Sequence, residues 1–241
     1  AESAYPNSNL SKQSDLHIFF WLASARFLKE NGWFGFLTSS SWLDAKYGFA
    51  LQRWILQHFK LVAVIESLDE PWFTDARVKT CATIMQLCDD AEKRDENTVK
   101  FVRLKRPLTE ILKKADWEHI EEHDGQEHLR QRAAEDLRDL ILKTKHDYTS
   151  DELRILVKRQ GDLWGEGLSV AEMFARQKQL SKQSLEDEEE LETQENEISA
   201  PPREFRAAND LLDYGGGKWG RYLRAPDFYF EIMNEFGAKF T

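Results

Sequence analysis

The sequence predicts an α/β fold in which a mixed sheet, antiparallel at one edge, is followed by a charged helical insertion. Three observations predict it. Short apolar runs of strand length, Trp33 to Leu37 and Leu61 to Glu66, alternate with amphipathic helical stretches. Two later runs, Val78 to Leu87 and Thr98 to Leu104, follow so closely that antiparallel pairing at one edge fits them best. From Pro107 onward the chain changes to helical spacing with heavy charge.

In order, Ala1 to Gln13 is a small, polar stretch, and Ser14 or Asp15 caps a helix over Leu16 to Lys29 with a broad apolar face. Asn31-Gly32 ends that helix, Gly being tolerant of the left-handed conformation past a helix end. Trp33 to Leu37, continuously apolar, reads as a central strand buried on both faces. Ser39, Ser40 and Trp42 follow it, where open α/β sheets place their ligands; an N-cap cluster is an equal reading of the serines. Gly48 to Phe59 is a second helix, and Thr98 to Leu104 an edge strand.

Leu108 to Lys114, Gln126 to Lys145, Ser150 to Gly161 and Ser169 to Gln183 carry helical spacing. Glu186 to Pro202 reads as a solvated acidic tether. In the tail, Lys218, Trp219, Arg221, Tyr222 and Arg224 interleave rings with cations before a helix over Asp227 to Glu235. Rings and guanidinium groups in that pattern suit nucleic acid, with Arg221 and Arg224 as phosphate contacts. Docking of Trp219, Tyr222 and Phe228 on the first domain is the equally weighted alternative.

The formal charge of −10 argues against a surface that coats nucleic acid generally. It does not decide the partner, because Glu186 to Glu197 alone supplies eight acids and no base. Cys81 and Cys88, seven residues apart on or beside one strand, point to opposite faces, so the sequence predicts two reduced thiols and a cytoplasmic location. No apolar run approaches the roughly 20 residues that span a bilayer.

Phosphate-loop, nucleophile-elbow and zinc-protease motifs do not occur, and Gly215-Gly216-Gly217-Lys218 is too short for a phosphate loop. His119, His123 and His128 lack a companion ligand, so no metal is expected. The Trp72-Phe73 pair, followed by Thr74, Asp75 and Arg77, is either a lid over the core or a stacking platform for a flat ligand.

Three segments carry a resemblance: SDLHIFF, NGWFGFLTSSSWL, and LVAVIESLDEPWFTDARVKTCATIMQL. Together they resemble the C-terminal half of the catalytic domain of adenine-specific, S-adenosylmethionine-dependent DNA methyltransferases, in the branch fused to restriction endonucleases or found in phage defence. The tail GKWGRYLRAPDFYFEIM resembles the join to a target-recognition domain. The resemblance implies a partial Rossmann-like methyltransferase sheet over 1–105, a helical insertion over 106–185, an acidic linker over 186–210 and the start of target recognition over 211–241. It implies S-adenosylmethionine as cofactor of the longer protein, double-stranded DNA as partner, and a target adenine flipped from the duplex between aromatic walls. Phe73 stands at the position of one wall, and Arg77 and Lys79 are carried over as phosphate contacts or solvated loop charges.

The sequence departs from that family's pattern in having no Asn-Pro-Pro-Tyr loop, and it also lacks the Gly-rich strand-turn that would hold the cofactor. The expectation is therefore part of a longer polypeptide, with no catalytic residue of its own, inactive alone and inclined to self-associate through an exposed strand edge. The rival expectation is a non-catalytic α/β module that binds a protein partner.

Overall fold

The structure, a computed structural model, describes residues 15–68, 70–73, 78–112, 125–192 and 214–236. Its six strands are β1 (Trp33–Ser39), β2 (Phe59–Ser67), β3 (Thr80–Leu87), β4 (Thr98–Leu104), β5 (Tyr148–Thr149) and β6 (Leu153–Arg159). They form one sheet in the order β1-β3-β2-β4-β6-β5. β2 and β4 are parallel, β3 runs antiparallel to both β1 and β2, and β6 runs antiparallel to β4. The sheet is thus mixed, as expected for the class.

Three elements differ from the expectation. β1 is an edge strand, because β3 folds back between β1 and β2 and takes its inner side. Its apolar run serves two unlike faces: Phe34 is buried against helices, while Trp33 and Leu37 on the other face are 58% and 43% exposed. β4, expected at an edge, is interior. The cause lies in residues 153–159, whose charge suggested a helix; Leu153 and Ile155 instead alternate with Arg154 to suit a strand, and the whole of β4 pairs with it.

The helices are α1 (Leu16–Ala25), α2 (Gly48–His58), α3 (Ala91–Asp95), α4 (Leu108–Ile111), α5 (Gly125–Lys143), α6 (Gln160–Glu192), α7 (Gly220–Arg224) and α8 (Asp227–Phe236). α1 is shorter than its apolar pattern, and Asn31, not Gly32, takes the left-handed conformation after it at φ 64°. α6 runs without a break through Gly161, Gly165 and Gly167 and into the first acids of the expected tether. Gly167 is required there for close approach, since a Cβ would meet the Tyr214 ring that stacks on Trp164.

Alternate strand residues feed two cores. On one face Phe34, Phe59, Leu61, Val64, Met85, Phe101 and Leu156 pack with α1, α2, Leu163 of α6 and the tail residues Trp219, Tyr222 and Leu223. On the other, Ala63, Val102, Leu104, Leu153 and Ile155 meet Ile141 of α5. A bulge between Leu61 and Ala63 explains why Leu61 and Val64, an odd number of residues apart, share a face. The bulge also turns Glu66 towards the tail.

Candidate functional site at the ends of the parallel strands

The second-last residues of β1, β2 and β4 are Thr38, Glu66 and Arg103. Strand register joins them into one row across the sheet, Thr38, Cys81, Glu66, Arg103 and Arg154. The register puts all five on one face of the sheet, and Glu66 and Arg154 bond residues of α7 directly. Direct Arg-Arg opposition of Arg103 and Arg154 would be repulsive without compensation. Both donate from NH1 to the carbonyl of Ala225, at 3.0 and 2.8 Å.

Arg154 is buried, and its NH2 also donates to the carbonyls of Tyr222 and Leu223 at the end of α7. Its charge is met by Asp227 at 2.6 Å, and Asp227 also takes Lys105 at 2.7 Å. Burial pushes the Arg154 pKa down despite that carboxylate. At Asp227 burial opposes ionisation, but the bonds from Lys105 and Arg154 outweigh it and hold the carboxyl below its usual range.

Arg224 completes the joint from α7. Its Nε and NH2 both reach Glu66 at 3.0 Å, its NH1 pairs with Asp44, and its NH2 donates to Ser40 Oγ at 2.8 Å. Glu66 is 6% exposed and also accepts from the Ser40 hydroxyl at 3.0 Å. Burial opposes the charge on Arg224, yet Glu66 and Asp44 prevail and raise its pKa. Cys81, beside Glu66 in the row, has its thiol pushed up to about 11, mainly by burial.

The residues singled out in the sequence fall in different places. Ser39 caps the 3-10 turn Ser40–Leu43 by accepting from Ser41 N–H, and Ser40 belongs to the Arg224 joint. Trp42 is fully buried, with its ring 5.5 Å from Trp21 and 5.9 Å from Trp219. Arg221 bonds Glu166 and the Tyr222 hydroxyl. In the tail Trp219 and Tyr222 dock on the sheet, whereas Phe228 stays 60% exposed. Lys79 is exposed and lines a small cavity with Glu66 and Arg103. Trp72 packs on the α5-side core, and Phe73 beside it is 44% exposed. Arg77 lies outside the described residues, as do His119 and His123.

Sequence reasoning missed Asp44, Glu66, Arg103 and Arg154. One signal was available: Glu66, Arg103 and Arg154 are the charges that interrupt strand-like apolar runs on the helix-covered side.

Residues 2–73 match the family described as Eco57I restriction-modification methylase. No curated protein matches the chain. Among the solved structures that resemble it are the type IIG restriction endonuclease BpuSI, at 9% identity and TM-score 0.42 over 65% of this chain, and a type I restriction-modification complex, at 15% identity and TM-score 0.37 over 75%. The chain spans 15% and 40% of those two chains.

Neither the cavity at the strand ends nor the groove under α5 fits S-adenosylmethionine, and a third cavity, of about 440 Å3, is lined by α6 alone, away from the strand ends. A cofactor with a sulfonium, a ribose and an amino-acid carboxylate needs a pocket of several hundred Å3 with a few convergent polar groups. The cavity at Glu66 has about 50 Å3, and the groove of about 510 Å3 between α5 and the sheet has Arg138 as its sole polar lining residue. Gly215, Gly217 and Gly220 do fall at the G-x-G-x-x-G spacing of dinucleotide turns. Their N–H groups are already committed, to Gly167 O, Gln52 Oε1 and Asp44 Oδ1, and cannot cradle a pyrophosphate. Among the described residues no His, Cys, Asp and Glu group could hold a metal, and no helix is long and apolar enough to cross a membrane.

Proposed function

We infer that this chain is part of a restriction-modification DNA methyltransferase that moves a methyl group from S-adenosylmethionine to N6 of an adenine flipped out of duplex DNA. The observation that carries it is the match of residues 2–73 to a restriction-modification methylase family, which ends at Phe73. Chemistry on a base requires extrusion, because the acceptor nitrogen is unreachable inside the stack. Phe73, exposed beside the inward-packed Trp72, offers its ring as one wall of the base pocket. The sequence contains no Asn-Pro-Pro-Tyr, so the hydrogen-bond acceptors for the adenine amine lie elsewhere in the longer protein. Alone, this chain takes up no cofactor and transfers no methyl group, and the location is the cytoplasm, with the DNA.

The test is methyl transfer from labelled S-adenosylmethionine to duplex DNA by the polypeptide that carries this chain together with an Asn-Pro-Pro-Tyr loop. Nucleoside mass spectrometry should find N6-methyladenine. Label on cytosine, or tight cofactor uptake by the present chain in calorimetry, contradicts the assignment.

Self-association belongs to the same reading. The outer edge of β1 has no strand partner among the described residues, and Trp33 and Leu37 are exposed beside it.

A further inference from the structure

Most of the cations at the strand ends are spoken for. Arg224 faces Glu66 and Asp44, and Arg154 and Lys105 share Asp227. Two are not. Among the described residues neither Lys79 nor Arg103 has a carboxylate within ion-pair distance, and both line the cavity of about 50 Å3 with Glu66, Ser67, Leu68, Leu223 and Arg224. Arg103 gives NH1 to the Ala225 carbonyl, while its Nε–H is buried with no acceptor. A buried donor without a partner carries a desolvation cost that an acceptor relieves.

The one acid of the cavity does not supply that acceptor. Glu66 Oε1 and Oε2 already receive Arg224 and Ser40, so its charge is spent inside the joint. The cavity therefore holds an excess of donors: the Arg103 guanidinium, which cannot be deprotonated, and the Lys79 ammonium. What such a cavity takes is a small, multiply accepting anion of one negative charge or more. Its size admits a single tetrahedral group and excludes a nucleoside.

We propose that the cavity between Lys79 and Arg103 is a binding site for one phosphate group. The backbone of duplex DNA is the source that fits the function proposed above, and a free phosphate ion has the same chemistry. The inference rests on that function only for the source. Arg103 is held in place by Ala225, so the site is preset when the tail is docked, and Lys79 closes it from the exposed side.

Two arms test it on the full chain. In the first, inorganic phosphate is titrated while the Arg103 Nε–H resonance, assigned by its loss in Arg103→Lys, is followed by NMR. A saturable shift that Lys79→Gln weakens several-fold supports the site, and a shift that never saturates overturns it. In the second, binding of a labelled duplex is measured against salt. Lys79→Gln, at an exposed residue whose structural bonds are made by its backbone carbonyl and not its side chain, should lower the slope of log K against log salt by about 0.9, one phosphate's worth. An unchanged slope overturns the site while leaving DNA binding intact. Saturable phosphate binding with no duplex binding keeps the site and sinks the DNA reading instead.

Discussion

The two faces of the sheet are built to different rules. The face under α1, α2, α6 and the tail buries Trp21, Trp42, Trp54 and Trp219 completely or nearly so, and its polar row is closed by arginines with named acceptors. The opposite face is covered by α4 and α5 over β2, β4 and β6, but over β1 it leaves Trp33 and Leu37 exposed. The difference teaches that the first face is packed within this chain, with its opening at the small cavity beside Arg103. The second leaves β1 partly bare.

Substitutions should separate the two faces sharply. Trp42→Ala, in the packed core, should destabilise the fold by about 3–5 kcal/mol in denaturant unfolding, the usual range for a large buried aromatic. Glu66→Ala comes next. It strands Arg224 with Asp44 as its remaining carboxylate, and about 3 kcal/mol is expected, at the low end for a broken buried pair because Arg224 is partly exposed. A double-mutant cycle with Arg224→Ala should show coupling well above experimental error.

Acid should loosen the same face. The Asp227 carboxyl is held below its ordinary value near 3.9, so its contribution is present above that pH and is lost as pH falls through the lower, folded value. Proteolysis of the tail should rise below about pH 4, and Asp227→Asn should remove that pH dependence. The smallest effect belongs to the bare face: Leu37→Ser should change stability by no more than about 0.5 kcal/mol. It should also shift any dimer seen by light scattering towards monomer. A large loss of stability would mean that β1 is already covered.

Much of this architecture was legible in the residues, and the failures have a common cause. Helices α1 and α2 and strands β2 and β3 follow from their own periodicity, since each meets its core within a few residues of where its apolar pattern lies. β1, β4 and β6 were misplaced because strand order depends on partners distant in sequence: β4 becomes interior only when residues 153–159 return to pair with it. Phe73 is singled out through the family resemblance, and Arg221 and Arg224 from the ring-and-cation pattern of the tail, which does not show the carboxylates they meet in the fold. The row through Glu66, Arg103 and Arg154 could not be named, because only register sets those three side by side.

The central claim, that this chain supplies one wall of an adenine pocket, is tested most directly by Phe73→Ala in the methyltransferase that includes the catalytic loop. Base stacking on one ring is worth about 1–3 kcal/mol, so methyl transfer per enzyme should fall about tenfold or more while the unfolding midpoint of the variant, with Phe73 already 44% exposed, stays close to wild type. Methylation at the wild-type rate would contradict it.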